Sequence, residues 1–388
     1  MSKDNVKKLI GDVFNEIADA IQSGSFAPKV KVGLTTLGSE HGLDEVIKAA
    51  EMATNKYNDF EVVLIGPKSN TSLTTYEVTS EKEAHEKMES LLDSEEIKGC
   101  VTMHYNFPIG VSTVGRVITP ALGHEMIIAT TTGTSSTNRV EGMVKNAIYG
   151  IIAAKSVGIK DPKVGILNVD GARQVERALT ELKSNGYDIS FTESMRSDGG
   201  IVMRGNDLLT GTPDVMVTDS LTGNILMKMF SSFTTGGSYE ASGYGYGPGI
   251  GEGYNRLVNI ISRASGAPVI CEALRYCASC AQNNIIDISK NEFASLNKAG
   301  FKELCEKITS SDKKAAASEN EVVAPTKKVV TNDIPGVDIL DLEDSVKELW
   351  KAGIYAESGM GCTGPIVLVA TEDKDKAIEI LKEKEYIG

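Results

Sequence analysis

Apolar positions along the chain follow two alternating periods. Val6, Leu9, Ile10, Val13, Phe14, Ile17 and Ile21 recur at spacings of three and four, with Asp4 as a cap and Gly24 as a stop, which predicts an amphipathic packing helix. From Lys29 the pattern switches repeatedly between short β-branched runs and helical stretches: KVKVGLTT, DEVIKAAEMATNKY, FEVVLIG, and later VGILNV followed by RQVERALTELKSNG. Strands alternating with helices predict βαβ units on a largely parallel sheet. Unbroken apolar runs such as VVLIG and DVMVTD suit strands covered by helices on both faces.

Between residues 310 and 332 the pattern lapses. SDKKAAASENEVVAPTKKVVT is rich in Lys, Ala, Ser and Glu and reads as a solvated linker. Beyond it VDILDL reads as a strand, EDSVKELWKAG as a helix, PIVLVAT as a strand and DKDKAIEILKEKEY as a helix. The expected organisation is therefore a body over 1–309, a linker over 310–332, and a small α/β module over 333–388. So short a module is marginal alone and should dock on the body.

Charge narrows the classes of partner. Among 388 residues, 40 Lys and Arg stand against 53 Asp and Glu, a net −13, which repels phosphate polymers and anionic lipid. Neither nucleic acid nor a membrane is an expected partner. No run approaches the ~18 to 20 apolar residues of a membrane span, and MSKDNVKKLIGDVF is too charged for a signal peptide, so a cytoplasmic protein is expected. Six cysteines, widely scattered, make no disulfide framework.

Four local patterns carry candidate chemistry. In AESGMGCTGP, Cys362 stands among Gly359, Gly361 and Gly364; such a turn either exposes a nucleophilic thiol that can carry an acyl group or takes Cys as a small residue. Gly243 to Gly253 has glycine at every second position and lacks the Gly-Lys-Ser/Thr of a P-loop, so it reads as a pliable cover over a substrate or as a plain surface loop. VTDSLTGNILMK runs from a strand through a turn into a helix, where Asp219 and Asn224 either orient an anionic ligand or simply cap the helix. Cys271, Cys277 and Cys280 lack a nearby fourth ligand, so no metal is expected. His104, at a strand-to-loop junction, is either catalytic or a satisfied structural histidine.

Together these segments resemble a known family. VTDSLTGNILMKMF resembles the Asp-Gly/Leu-x-x-Gly-Asn-x-x-x-Lys segment of phosphate acyltransferases, and GPGIGEGYNRLVNIISRASGAP resembles the run that carries their substrate-binding Ser and Arg, here Ser262 and Arg263. IGVSTVGRVITPAL is a looser match to the segment supplying another substrate-contacting Arg, here Arg116. The resemblance spans most of Lys29 to Lys307. It implies a two-lobed, three-layer αβα fold like that of the isocitrate and isopropylmalate dehydrogenases, with the site in the cleft. No Asp follows Arg263 before Glu272, where the acetyltransferases keep a catalytic one, which counts against a stand-alone reaction with coenzyme A.

The body joined to the Cys362 module resembles, over the whole chain, the alpha subunits of component C of glycine/sarcosine/betaine reductase complexes. That resemblance implies a Cys362 nucleophile that holds an acetyl group derived from the Se-carboxymethyl selenoprotein, component A, and passes it to inorganic phosphate. Arg263 and Arg116 would neutralise phosphate and the developing oxyanion, Ser262 and Asn224 would donate hydrogen bonds, and Lys228 would stand nearby. Cys100, in GCVT, is either a second redox thiol or a small buried strand residue. The implied partners are component A and a beta subunit resembling thiolase or ketoacyl synthase, in an oligomeric assembly without a bound cofactor. A free-standing phosphate acetyl- or butyryltransferase and a non-catalytic acyl- or phosphate-binding scaffold are the rival readings.

Overall fold

The computed structural model describes residues 29–197, 199–317, 322–338, 341–361 and 364–387, together with 11, 13–15, 17, 18 and 21. The last group is helical, as expected, but Val13, Phe14, Ile17 and Ile21 are exposed rather than packed.

Strand and helix alternate from Val30 onward: β1 (Val30–Thr35), α1 (Leu43–Lys56), β2 (Phe60–Gly66), β3 (Thr75–Glu77), α2 (Glu81–Asp93) and β4 (Gly99–Thr102). An antiparallel pair follows, β5 (Ser112–Ile118) and β6 (Glu125–Gly133), then α3 (Arg139–Ser156), β7 (Lys163–Leu167), α4 (Ala172–Ser184), β8 (Ser190–Phe191), β9 (Val202–Met203), α5 (Gly205–Thr210) and β10 (Val215–Val217). The body closes with α6 (Ser220–Ser232), β11 (Gly247–Ile250), β12 (Val258–Ile260), α7 (Ala267–Gln282), α8 (Ile285–Lys298) and α9 (Phe301–Ala317).

The strands form one sheet in the order β3-β2-β1-β4-β12-β11-β5-β6-β10-β7-β8, with β9 beside β7. Its two outer halves are parallel, and the antiparallel pairings of β11 with β12 and β5, and of β5 with β6, join them. One face packs α1, α3, α4, α7 and α8; the other packs α2, α5 and α6. This is the expected three-layer αβα arrangement. Its centre is α3, where 14 of 18 residues are buried and the charged Glu141 and Lys145 pair with each other along the one partly open edge.

The alternating glycines at 243–253 are not one pliable loop: Gly247 and Gly249 lie in β11, a buried strand in the middle of the sheet, Gly243, Gly245 and Gly251 are buried beside it, and only the turn at Glu252 and Gly253 is exposed. Gly247 has φ +81°, and a Cβ there would stand 1.8 Å from the Val114 carbonyl oxygen; a Cβ on Gly249 would meet the Phe107 ring. Glycine is needed because neighbouring chain comes too close for any side chain.

Past the body the sequence expectation needs two corrections. Helix α9 continues to Ala317, well into the stretch read as linker, because KKAAA is helix-favouring whatever its solvation. The first strand of the module is β13 (Asn332–Pro335) and not VDILDL, whose Ile339 and Leu340 lie outside the described residues and whose Leu342 opens α10 (Leu342–Lys351). The chain continues through β14 (Ala356–Gly361), β15 (Gly364–Val369) and α11 (Lys374–Glu383). Antiparallel strands in the order β13-β15-β14, under α10 and α11, enclose a separate small core. Among the described residues no helix is long and apolar enough to cross a membrane.

Candidate active site

A cleft of about 400 Å³ opens where the two halves of the sheet meet. Three strands deliver their carboxyl ends to it. β4 leads into the His104–Ile109 segment, β6 ends in Thr132, Gly133 and Thr134, and β12 leads to Ser262; α6 adds Asn224 and Lys228. Strand ends at a change of sheet order are where open α/β sheets leave room for ligands, because the chain there departs to opposite sides.

Helix α6 is fixed at its start by Asp219, whose carboxylate accepts from the Thr222 backbone N–H at 3.0 Å and from its hydroxyl at 2.7 Å. Arg139 adds an ion pair at 3.1 Å. Burial pushes the Asp219 pKa up, but the Thr222 and Arg139 contacts outweigh it and hold the carboxyl below its ordinary value. Asp219 thus acts as the helix cap, the more modest of the two sequence readings. One turn on, Asn224 donates from Nδ2 to the Thr131 carbonyl at 3.1 Å, which fixes its amide at the cleft wall. Lys228 follows on the same side, its Nζ 5.7 Å from the centre of the Tyr246 ring. Among the described residues it has no carboxylate partner.

Beneath the cleft lies a buried carboxylate that nothing in the sequence marked. Glu240 accepts from the Tyr246 hydroxyl at 2.9 Å and the Ser265 hydroxyl at 2.8 Å. Ser265 in turn accepts from the Ser262 backbone N–H at 3.1 Å, and Ser262 Oγ accepts from the Ala264 N–H at 3.1 Å. Burial, then Glu240, drives the Tyr246 phenol far above its ordinary pKa, so it stays a neutral donor. The Ser262 turn is thereby anchored from below.

The two arginines are placed differently from Lys228. Arg263 turns away from the main cleft into a crevice shared with His85 and His104, where it pairs with Glu81 at 3.1 Å and donates to the Gly38 carbonyl at 3.2 Å. Hydrogen bonding from Arg263 lowers the Glu81 pKa, so the pair is ionised at neutral pH. Arg116 does not line the cleft. Gly115 faces Met227 on α6, so Arg116, the next residue, points to the other face of β5, where it pairs with Glu125 and lies 4.2 Å from the Tyr244 ring centre.

The cysteines divide by burial. Cys100 is fully buried in the core, and desolvation pushes its thiol pKa far up, so its place is that of a small strand residue and not an accessible redox thiol. Cys271, Cys277 and Cys280 are buried on α7, and no group of His, Cys, Asp and Glu among the described residues could hold a metal ion. Cys362 lies outside the described residues; in sequence it falls between Gly361 and Gly364, which are paired across the β14–β15 hairpin. The segment read as a glycine turn is mostly strand. Of the predicted set, the structure gathers Ser262, Asn224 and Lys228 at one cleft, with Arg263 next door.

These features define an α/β chain whose cleft suits a small polar or anionic group. Residues 30–368 match the family model described as fatty acid synthesis protein. Over 379 residues, 98% of each chain, the sequence is 63% identical to the glycine/sarcosine/betaine reductase complex component C subunit alpha of Peptoclostridium acidaminophilum. It is 26% identical over 233 residues to a phosphate acyltransferase of Staphylococcus haemolyticus (strain JCSC1435), covering 51% of this chain and 70% of that one. A 4-hydroxythreonine-4-phosphate dehydrogenase structure from Klebsiella pneumoniae overlaps 66% of this chain and 98% of its own at TM-score 0.41 and 12% identity. The chain belongs to the fatty acid synthesis protein family and to the family of component C alpha subunits, and its body is related to the phosphate acyltransferases.

Proposed function

We propose that this chain is the acetyl-transferring subunit of a glycine/sarcosine/betaine reductase complex. An acetyl group derived from the Se-carboxymethyl selenoprotein is held as a thioester on Cys362 and passed to inorganic phosphate, giving acetyl phosphate. The observation that carries the reading is the Lys228 ammonium: a cation without a carboxylate partner among the described residues, facing a cleft large enough for phosphate and an acetyl group. An unpaired ammonium beside amide and hydroxyl groups favours a dianion, through charge-assisted hydrogen bonds about twice as strong as neutral ones.

In the reaction a phosphate oxygen attacks the thioester carbonyl, the new C–O bond forms, the C–S bond breaks, and its electron pair leaves on the Cys362 sulfur. No redox change accompanies this step. Lys228 holds the phosphate, Asn224 fixes its wall of the cleft, and the Ser262 hydroxyl donates to the nucleophile or the oxyanion. No bound cofactor is required beyond phosphate itself. The relative's name describes a subunit of a multi-component complex. We assign this chain the corresponding partners, the selenoprotein and a thiolase- or ketoacyl-synthase-like beta subunit, in the cytoplasm.

Intact-mass spectrometry after incubation with acetyl phosphate, followed by peptide mapping, tests the reading. A hydroxylamine-labile acetyl group on the peptide containing Cys362 is expected. No acetylation, together with acetyl transfer to coenzyme A, would overturn it in favour of a free-standing transferase.

A further inference from the structure

One residue stands where two of the elements that build the cleft meet. Helix α6 brings Asn224 and Lys228, the turn after β12 brings Ser262, and the segment around Glu240 is tied to both. On one side the Ala241 and Ser242 N–H groups donate to the Ser231 carbonyl, near the end of α6, at 2.8 and 3.1 Å. On the other, the Glu240 N–H donates to the Ala264 carbonyl at 3.1 Å, and the Glu240 carbonyl accepts from the Gly266 N–H at 2.9 Å. The Glu240 side chain is 3% exposed.

We propose that Glu240 is a positioning residue of the phosphate site, which holds Ser262 and the ring beside Lys228 in one arrangement through the hydroxyls of Ser265 and Tyr246. The assignment rests on the reading of the cleft as a phosphate site. A carboxylate can only accept, so it fixes the direction of both hydroxyls, and each proton points to Glu240. Ser265 Oγ is thereby left to accept the Ser262 N–H, which sets the backbone of the turn at the residue lining the cleft. Ser262 Oγ takes the Ala264 N–H on its own oxygen, which leaves its proton to donate.

Along the second branch, Glu240 holds the Tyr246 phenol, and the face of that ring lies beside the Lys228 ammonium. A buried carboxylate is costly unless it is hydrogen-bonded, and the two hydroxyl donors meet that need. Glutamine in its place has the same shape but donates from one end. It would meet the proton of Tyr246 or of Ser265 head-on and turn that hydroxyl away, so one branch would loosen.

Calorimetric titration of the purified full chain with inorganic phosphate tests the assignment without requiring acetyl transfer. Glu240→Gln should weaken phosphate binding by about 10-fold or more, and Ser265→Ala by about 3-fold or more. The double variant should fall clearly short of the product of the two losses, because both act on one network; unrelated structural effects would multiply. Lowered thermal melting with unchanged phosphate affinity would reduce Glu240 to a structural role and overturn the assignment, and so would losses that multiply. Should Glu240→Gln fail to fold, Ser265→Ala, which removes a single buried hydroxyl, decides alone: unchanged affinity overturns the assignment. Weakened binding in a chain whose Cys362 takes no acetyl group would uphold Glu240 and overturn the acetyl transfer, whereas a wild type that binds no phosphate would overturn both.

Discussion

The body and the C-terminal module are built on opposite terms. In the body, parallel strands lie between helices on both faces, and α3 has 14 of its 18 residues buried. The module is an antiparallel three-stranded sheet with a core of its own, whose eleven buried side chains do not merge with those of the body. Polar contacts to α4 hold it there. Asp338 accepts from the Arg173 backbone N–H at 3.3 Å, Asp341 from Gln174 at 3.0 Å and from Arg177 at 3.2 Å, and the Glu385 carbonyl from Arg177 at 3.1 Å. Lys327 and Lys328 pair with Glu357 and Asp373, so the chain before β13 adheres to the module's own surface. A unit with a self-contained core and a hydrogen-bonded seat can leave that seat with its own core intact, which under the proposed function would let it carry the acyl group to the cleft of the body.

Separation of labour predicts effects of different kinds in the two regions. The largest is expected from Cys362→Ala, which should abolish arsenate-dependent breakdown of acetyl phosphate while both melting transitions stay in place; retained turnover would mean the body works without the module. Lys228→Gln should raise the half-saturating phosphate concentration by roughly 10- to 100-fold. Arg263→Ala, whose charge Glu81 already engages, should raise it less, and the reverse order would exchange their roles. Gly247→Ala should lower the stability of the body by at least about 3 kcal/mol in a denaturant titration, because the added methyl meets the Val114 carbonyl at a positive φ, and should leave the module's transition unmoved. Arg177→Ala should loosen the seat by up to about 1 kcal/mol, because the Arg177 side chain is 42% exposed, seen as an earlier module transition in calorimetry.

The smallest effect is one of pH. Burial, the largest influence on it, raises the Asp341 carboxyl pKa despite Arg177. A raised carboxyl pKa stabilises the docked form below the ordinary carboxylate pKa and loses that contribution as pH rises through the docked value. The wild-type seat should therefore tighten relative to Asp341→Asn as pH falls from neutrality. A parallel pH dependence in the two proteins would place the burial elsewhere.

How much of this was legible beforehand depended on whether the signal was local. The βαβ alternation and the Asp219–Lys228 strand-to-helix segment could be read directly, because each depends on side chains close in sequence, whereas Ser262 was reached only through the family resemblance. The glycines at 243–253 were misread because their reason lies far away: Val114 and Phe107 crowd β11 from segments more than a hundred residues earlier. Glu240 was invisible for a similar cause, since an acidic residue in SYEASG carries no sign that it will be buried under Tyr246 and Ser265. The arginines were recognised by type, but their direction was not, because Glu81 and Glu125 meet them only after folding. AESGMG was taken for a turn because glycine disfavours strands on average, and its pairing with β15 overrode that preference.

The place of β11 and β12 in the sheet also bears on how the chain is made. As it leaves the ribosome, β4 and β5 emerge early, yet the strands that lie between them, Val258–Ile260 and Gly247–Ile250, are among the last of the body to appear. Until then each early half-sheet carries a bare hydrogen-bonding edge, the kind that recruits strands from other chains. The seam closes only when this late pair arrives, through contacts of long sequence separation that form slowly. A nascent chain stalled before Gly247 would hold two sticky borders and no cleft, so the segment that completes the site also ends the molecule's exposure to aggregation during its own synthesis.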